Sequence, residues 1–352
     1  MIIVYFLIFV LILIGIKPKL NSFNDGYLSR SQTTAIKGIF VILVFCRHFK
    51  QYVTLNDNFL DKSFSIADDT LRQLIVVMFL FYSGYGIIKQ IQLIESEYVD
   101  HFLKRRLLPV WLQYAICVCF FIITDLALGL LNNYSLSDIL LSFIGWTSIG
   151  NSTWFMFVTF ALYIFVFVSF KFFKFEKLIW NVVIFTALSF ALGIFLYIFK
   201  PSHWWDTLLC FALGMWFGLF KEKIDEFVEN PKNYLLTAIL ITITFLGLLF
   251  VDYIINLGAF YIILPLLFAL FAVAVTMKVK IGNPVLDFFG KHIFSIYMLQ
   301  RIPMMIFKNV IENIYVYFAV CFAVTVAVSV GFDRLFGLLK AVIIKRRTKK
   351  RC

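Results

Sequence analysis

Charged residues are scarce in this chain, and their scarcity excludes an ordinary soluble domain. Of the 352 residues, 15% are charged and 62% are hydrophobic, and 44 of them are Phe. The mean hydropathy is +0.92. Soluble domains carry about 25% charged residues and have no repeated apolar runs of about twenty residues. The composition therefore predicts an all-α, polytopic bundle of transmembrane helices.

The sequence also lacks the common signatures of metal, nucleotide and hydrolase chemistry. No His, Cys, Asp and Glu residues show the spacing of a zinc or iron site, so no metal is expected. There is no GxSxG elbow, P-loop or GxGxxG motif. The cysteines form no CxxC pair, and those before the tail lie in apolar segments, which favours buried thiols. Nucleic-acid binding is not expected, because the basic residues are scattered over short loops.

Eleven helices are predicted from the apolar runs. They cover residues 2–16, 34–53, 71–91, 107–131, 153–171, 178–199, 205–220, 233–252, 258–277, 288–307 and 313–336. Residues 136–148 are an additional interfacial candidate. The first run lacks the basic start and the small-residue cleavage site of a signal peptide, so it is interpreted as a transmembrane helix.

The distribution of basic residues predicts the orientation of the chain. One set of loops contains most of the lysines and arginines, and the opposite loops contain mainly aspartates. The basic set comprises Lys17, Lys19, Arg30, 89–106, Lys171, Lys174, Lys177, Lys221, Lys223, Lys232, Lys278, Lys280 and the tail. The positive-inside rule then places the N-terminus outside and the C-terminus in the cytoplasm of a multi-pass cell-membrane protein. The net charge of +12 is explained mostly by two roles of these basic residues. They set the orientation of the chain in the membrane, and they attract anionic lipid head groups.

The segment from Thr34 to Tyr52 is the strongest candidate for a site, because it places ionisable groups in an apolar helix. Lys37 and His48 are eleven residues apart, which brings them to within roughly 20° of the same helix face. Burying an ionisable side chain at membrane depth costs free energy. Such side chains therefore usually line a polar cavity or take part in catalysis. His48 could act as a general base, and Lys37 could hold an anionic group. The alternative is that Arg47 and His48 only reach the membrane interface.

Five elements in order resemble the acyltransferase 3 family of bacterial integral-membrane O-acyltransferases. They are Lys37 and His48 with ten residues between them, Ser83-Gly84, the basic stretch 101–106 before Pro109, Trp154-Phe155 and the late segment Gly290 to Pro303. The resemblance extends from about Leu28 to the last helix. The departures are Leu103 at a usual arginine, Ile293 at a usual serine and Gln300 at a usual histidine. No catalytic role is therefore assigned to Gln300.

The resemblance implies a ten-helix acyltransferase core at residues 28–340. It would follow an N-terminal helix and linker at 1–27 and precede a basic cytoplasmic tail at 341–352. It implies acetyl transfer from cytoplasmic acetyl-CoA to a hydroxyl of a cell-surface or lipid-linked carbohydrate. His48 would be the base, and Arg47 is a weaker candidate for stabilising the oxyanion.

The anionic coenzyme would arrive at the predicted cytoplasmic cations Lys37, Lys104, Arg105 and Arg106. The acyl group would pass directly to the acceptor or through a separate protein. Polysaccharide-assembly proteins are the expected partners.

Two other function classes fit the same composition. One is a polytopic transporter or flippase for a lipid-linked sugar or polymer, although no internal repeat is visible. The other is a non-catalytic membrane subunit for polysaccharide assembly. Acyl-CoA hydrolysis by the purified protein would separate the enzyme from both.

Overall fold

The chain folds into a helical bundle, which confirms the all-α prediction. The computed structural model describes residues 1–19, 22–56, 58–94, 96–173, 176–255 and 260–349, with side chains described up to residue 339 and not for Phe260. Over these residues, seven helical stretches are long and apolar enough to cross a membrane. Lys174 of the basic loops, Asp57 of the opposite, acidic loops and the last three residues of the tail lie outside the described residues.

The helices follow one another with short connections. They are α1 Ile2–Leu13, α2 Arg30–Lys50, α3 Phe59–Leu71, α4 Leu74–Ile94, α5 Ser96–Asp100, α6 Leu108–Ala127, α7 Leu136–Ser142, α8 Trp154–Lys171, α9 Leu178–Phe199, α10 Leu209–Leu219, α11 Lys221–Glu229, α12 Pro231–Ile255, α13 Phe260–Lys278, α14 Pro284–Lys291, α15 Ile293–Leu299, α16 Arg301–Phe307 and α17 Ile314–Lys349. A π-helical turn, Leu103–Leu107, leads into α6. Two short strands, β1 Lys17–Pro18 and β2 Val279–Lys280, pair antiparallel.

Each of the eleven predicted segments overlaps at least one helix, but the segment predicted at 288–307 is not continuous. It is divided among α14, α15 and α16, with breaks at His292 and Gln300. Proline has no backbone N–H and clashes with the carbonyl four residues earlier, so Pro303 disfavours a regular helix through Leu299 and Gln300. At His292 the backbone N–H bonds to the carbonyls of Phe288 and Phe289, which closes α14.

Helices α3 and α11 were not expected. Helix α3 begins at Asn58, whose side chain accepts a hydrogen bond from the backbone N–H of Asp61 at 2.8 Å. It ends at Arg72, which has a φ of 36°. The charged residues of both helices interrupt the apolar pattern that revealed the others.

Reciprocal glycine contacts hold α2 against α14. A Cβ added to Gly38 would lie 2.0 Å from the backbone oxygen of Leu286, and one added to Gly290 would lie 1.9 Å from that of Thr34. Any larger side chain would therefore push the helices apart. Small residues allow this close approach between membrane helices, where packing replaces the hydrophobic effect as the driving force.

The same arrangement recurs between α4 and α10. A Cβ on Gly84 would lie 2.0 Å from the backbone oxygen of Phe211, and one on Gly214 would lie 2.0 Å from that of Phe81. The Ser83 hydroxyl donates to the Phe79 carbonyl of its own helix at 2.7 Å. Within this pair, Gly84 forms the helix contact, and the Ser83 hydroxyl is bonded within α4.

The connection between α1 and α2 is paired with the connection between α13 and α14. Lys17 pairs with Lys280 across the two-stranded sheet. The Asn283 amide donates to the backbone oxygens of Leu11 and Ile14 at 2.9 and 2.7 Å. Residues 17–18 and 279–280 therefore lie at one end of the bundle, consistent with the assignment of their lysines to one face.

The expectation of buried thiols holds for most of the cysteines. Four are buried, namely Cys46, Cys117, Cys210 and Cys321. The expectation is wrong for Cys119, which is exposed on the outer face of α6. The reason is the pitch of the helix, since residues two apart point about 200° from one another.

Candidate functional site

His48 lies in the last turn of α2 and is 9% exposed. Its Nε2 is 3.2 Å from the hydroxyl oxygen of Ser152, which is 7% exposed and lies in the segment before α8. Its Nδ1 is buried and has no hydrogen-bond partner among the described residues. The imidazole therefore has one nitrogen beside a hydroxyl, which is the geometry of a group that can accept a proton from an alcohol.

A cavity of about 730 Å³ opens beside His48. Its wall combines tryptophan rings, amides, hydroxyls and cations from α2, α4, the 131–153 connection, the 200–204 turn and the junction of α15 with α16. The lining residues are Val44, Arg47, His48, Gln51, Gln73, Ile75, Val76, Tyr134, Asp138, Trp146, Thr147, Ser148, Asn151, Ser152, Thr153, Trp154, Lys200, Pro201, His203, Trp204, Tyr297 and Arg301. A cavity of this size and polarity can take a sugar-sized ligand.

Local hydrogen bonds fix the segment that carries Ser152. The Ser148 hydroxyl donates to the Asn151 carbonyl at 2.6 Å, and the Asn151 side-chain oxygen accepts from the Ile149 N–H at 3.1 Å. Gly150 between them has a φ of 86°, a backbone conformation that glycine adopts without strain. The tight turn holds Ser152 against the His48 ring.

Arg47 lines the cavity, but its guanidinium is already engaged. Its Nη1 lies 2.7 Å from a carboxylate oxygen of Asp68 and 3.0 Å from the Asp68 backbone oxygen. The same buried carboxylate also accepts from the Tyr5 hydroxyl at 3.1 Å and pairs with Lys50 at 3.3 Å. Asp68 therefore fixes the Nη1 end of the Arg47 guanidinium, and the role of Arg47 toward an oxyanion stays a prediction.

Arg301 is a cavity residue that sequence reasoning missed. Its Nη1 donates to the Gly150 backbone oxygen at 3.3 Å, and its Nη2 donates to the side-chain oxygen of Gln51. Its Nε is buried and has no partner among the described residues. The signal that could have found it was the one used for His48, a charged residue inside an apolar segment.

Lys200 and His203, in the turn between α9 and α10, also line the cavity. The Lys200 ammonium donates to the Trp146 carbonyl at 2.9 Å and lies 3.8 and 4.4 Å from the ring centroids of Trp146 and Trp204. The His203 ring is 5.8 Å from that of Trp154. Burial lowers the pKa of Lys200. Burial also lowers the pKa of His203, and the Arg47 charge lowers it further, so His203 is neutral at neutral pH.

The expected donor-binding cations do not line this cavity. Lys37 is partly buried on α2, roughly 16 Å along the helix from His48. It makes no hydrogen bond or ion pair with any other residue that the structure describes. The structure therefore keeps Lys37 apart from the chemistry proposed for His48.

The other three cations lie in the π-helical turn before α6. The Arg106 Nε donates to the Tyr98 hydroxyl at 3.1 Å. Arg105 lies 3.7 Å from Glu97 across an exposed surface, and Lys104 is exposed. Of the cluster, only Arg106 has a buried aromatic partner that fixes its position.

The remaining histidines lie away from the cavity. His292 Nδ1 is 2.5 Å from a carboxylate oxygen of Asp333, and the Ser295 hydroxyl donates to the other oxygen. In this cluster the Asp333 carboxylate lies between the His292 imidazole and the Ser295 hydroxyl. His101 is exposed. The described residues contain no group of three or more His, Cys, Asp or Glu that could hold a metal.

Gln300 occupies the position at which the family that this sequence resembles usually has a histidine. It is fully buried, and its amide donates to the Tyr297 carbonyl at 3.0 Å. The Tyr297 ring, one turn earlier, lies 5.9 Å from the His48 ring. Gln300 is not among the residues that line the cavity.

Comparison with known proteins finds one family to which most of the chain is similar. No curated protein and no solved structure matches the chain. The family model described as an acyltransferase domain, that of acyltransferase 3, matches residues 33–334 and so includes α2, the cavity and the late broken segment. The chain therefore belongs to the acyltransferase 3 family of membrane acyltransferases.

Proposed function

We propose that this membrane acyltransferase transfers an acetyl group from cytoplasmic acetyl-CoA to a hydroxyl of a cell-surface or lipid-linked carbohydrate. The observation that carries the proposal is the buried His48 imidazole, which faces a hydroxyl and borders a cavity walled by tryptophans. Aromatic rings present flat apolar faces to sugar rings, and the amides and hydroxyls around them can bond sugar hydroxyls.

His48 acts as the general base in this proposal. Its Nε2 accepts the proton of the acceptor hydroxyl as that oxygen attacks the thioester carbonyl. The carbon–sulfur bond breaks, and the coenzyme A thiolate takes up the proton that His48 returns. The Ser152 hydroxyl, 3.2 Å from Nε2, marks the place where the acceptor hydroxyl would bind.

The donor is proposed to bind at the other set of cations. Coenzyme A carries phosphates. Lys37 lies toward the predicted cytoplasmic end of α2, and Lys104, Arg105 and Arg106 lie in the π-helical turn before α6. The planar Arg106 guanidinium suits a phosphate, and its bond to Tyr98 orients it in advance. The acetyl group would reach the His48 cavity still bound as the thioester, carried by the thiol-bearing arm of coenzyme A.

The direct test is release of coenzyme A by the purified protein in lipid nanodiscs. Acetyl-CoA is supplied with and without an oligosaccharide acceptor, and the free thiol is measured with a thiol reagent. Mass spectrometry of the surface polysaccharide from cells with and without the gene identifies the modified sugar. If neither experiment shows acetyl transfer, the flippase and the non-catalytic subunit become the better accounts.

A further inference from the structure

We propose that the acceptor carries an anionic group, a carboxylate or a phosphate, which Lys200 and Arg301 bind at the wall of the His48 cavity. This inference rests on the proposed function, because it names the chemical class of the acceptor for the same site. It concerns binding of the acceptor, not the transfer step itself.

The charges around the cavity are unbalanced. Three permanent cations line it, Arg47, Lys200 and Arg301, against one acidic residue, Asp138. Arg47 is neutralised by Asp68, which lies behind the wall. Among the described residues, neither Lys200 nor Arg301 has a carboxylate within salt-bridge distance. Cations that are partly removed from water without an acidic partner are costly unless a ligand supplies the missing charge.

Asp138 does not supply that charge, because its carboxylate caps its own helix. One of its oxygens accepts hydrogen bonds from the Ser135 hydroxyl at 2.6 Å and the Ser135 N–H at 3.1 Å. These bonds form the capping box of α7. Asp138 forms no ion pair with Lys200 or Arg301.

Lys200 is held on an aromatic platform. Its ammonium lies over both Trp146 and Trp204, and among the described residues it makes one hydrogen bond, to the Trp146 carbonyl. An ammonium can donate three hydrogen bonds, so two remain for a ligand. A charged sugar stacked on these rings would bring its carboxylate or phosphate to this ammonium.

Arg301 is positioned but not saturated. Two of its donors reach neutral acceptors, the Gly150 carbonyl and the Gln51 amide oxygen, while its buried Nε lacks a partner among the described residues. Each Nη nitrogen carries a second N–H beyond the hydrogen bond it makes, so the guanidinium keeps donors for a carboxylate or phosphate in the cavity.

Binding of defined oligosaccharides to the full-length protein in nanodiscs tests this inference. The probes are a hyaluronan hexasaccharide, which carries uronate carboxylates, the same hexasaccharide with its carboxyls reduced to alcohols, and a glycerol-phosphate hexamer. Calorimetry should show that an anionic probe binds about tenfold more tightly than the reduced one, as expected for a charge-assisted hydrogen bond. Preference for uronate or for phosphate identifies the source of the charge. Raising the salt from about 50 to about 500 mM should weaken only the anionic binding.

The variants locate the effect. Lys200→Gln should remove most of the preference for the anionic probe and leave the reduced probe unaffected, and Arg301→Gln provides a second, independent variant. Lys308→Gln removes the same charge from an exposed position outside the cavity and should change nothing. Equal binding of anionic and reduced probes, or a preference that survives Lys200→Gln and Arg301→Gln, overturns the inference.

The test of the anionic acceptor and the test of acetyl transfer can fail independently of one another. If coenzyme A release is stimulated equally by charged and reduced probes, the transferase stands and the anionic acceptor is wrong. If anionic probes bind through Lys200 but no acetyl group is transferred, the binding site stands and acetyl transfer is wrong.

Discussion

The surroundings of His48 separate its two nitrogens into different roles. Nε2 lies beside Ser152 at the cavity, whereas Nδ1 is buried without a partner among the described residues. His48→Ala should reduce acetyl transfer about 10²–10⁴-fold, the cost of a lost general base. Expression and membrane insertion should remain near normal, because alanine suits a membrane helix. The exposed His101 provides the matched control, and His101→Ala should retain activity.

Ser152→Ala completes this prediction, because it distinguishes direct transfer from transfer through an acyl-serine. If the acceptor hydroxyl takes its proton directly to His48, Ser152→Ala should reduce the rate by less than about tenfold, the size of one neutral hydrogen bond. A loss as large as that of His48→Ala would instead indicate that Ser152 carries the acyl group. Mass spectrometry of the protein after incubation with acetyl-CoA would then show an acetylated serine.

The cations outside the cavity lead to a different kinetic expectation. Lys37→Ala and Arg106→Ala should raise the KM for acetyl-CoA more than they lower kcat, since both would act in donor binding. Arg106→Lys should also be impaired if the planar guanidinium grips a phosphate. Lys223→Ala removes an exposed lysine of α11 and is the control. Unchanged KM in both alanine variants would restrict these residues to a role in topology.

His203 should make stability depend on pH in a predictable direction. Burial holds its folded-state pKa below 6.5, so the unfolded chain binds the proton more readily. Stability therefore falls as the pH drops below about 6.5, through the window between the unfolded and folded pKa values. Thermal melts between pH 7.5 and pH 5.5 should show a smaller loss of Tm for His203→Gln than for the wild type. Equal losses would show that the pKa of His203 is the same in the folded and unfolded states.

At the scale of helices, the glycine contacts predict which substitutions the bundle cannot accept. Gly84→Ala places a methyl group 2.0 Å from the Phe211 backbone oxygen, so α4 and α10 must separate. The expected cost is about 1–3 kcal/mol, typical of an overpacked contact. Gly86→Ala lies two residues further along the same helix, where an added Cβ meets nothing within 4 Å. Melting temperatures in detergent should fall for the first variant and not for the second.

Some helix boundaries could be predicted from the sequence and others could not. Helices α8 and α9 lie within one residue of their predicted bounds, because long apolar runs between charged loops define them locally. The break at His292 could not be predicted in this way, since it accompanies a bond to Asp333, forty-one residues away. For the break at Gln300, the only signal in the sequence was Pro303.

The candidate site was predictable only where its residues carry a local signal. His48 and Lys37 were visible as ionisable groups in an apolar helix. Ser152 and Lys200 were not, because loop serines and lysines are common and their meaning comes from the fold that brings them to the His48 cavity. Arg47 was visible in the sequence as a charge in an apolar helix. Its ion pair was not, because its partner Asp68 belongs to α3, a helix that the sequence did not predict.

For the whole molecule, the mechanism depends on orientation. The predicted topology puts the connections 17–33 and 89–106 in the cytoplasm and the His48 cavity toward the outside. Cysteine accessibility labelling, after replacement of the native thiols, tests it with one probe per site. Probes at Asn58 and Asn133 should react from outside, whereas probes at Glu97 and Lys223 should react only after permeabilisation. Labelling of Glu97 in intact cells would invert α2 and contradict a cytoplasmic donor.

The two glycine-locked helix pairs also bear on how the enzyme moves. At these glycines the backbone of α2 packs directly against that of α14, and the backbone of α4 against that of α10, which leaves little room for either pair to shift. We therefore expect these four helices to behave as a rigid frame that keeps His48 in place through the catalytic cycle. Any opening that admits the acceptor would then fall to the 131–153 connection and the 200–204 turn. Hydrogen exchange should be fastest there and slow down when an acceptor binds.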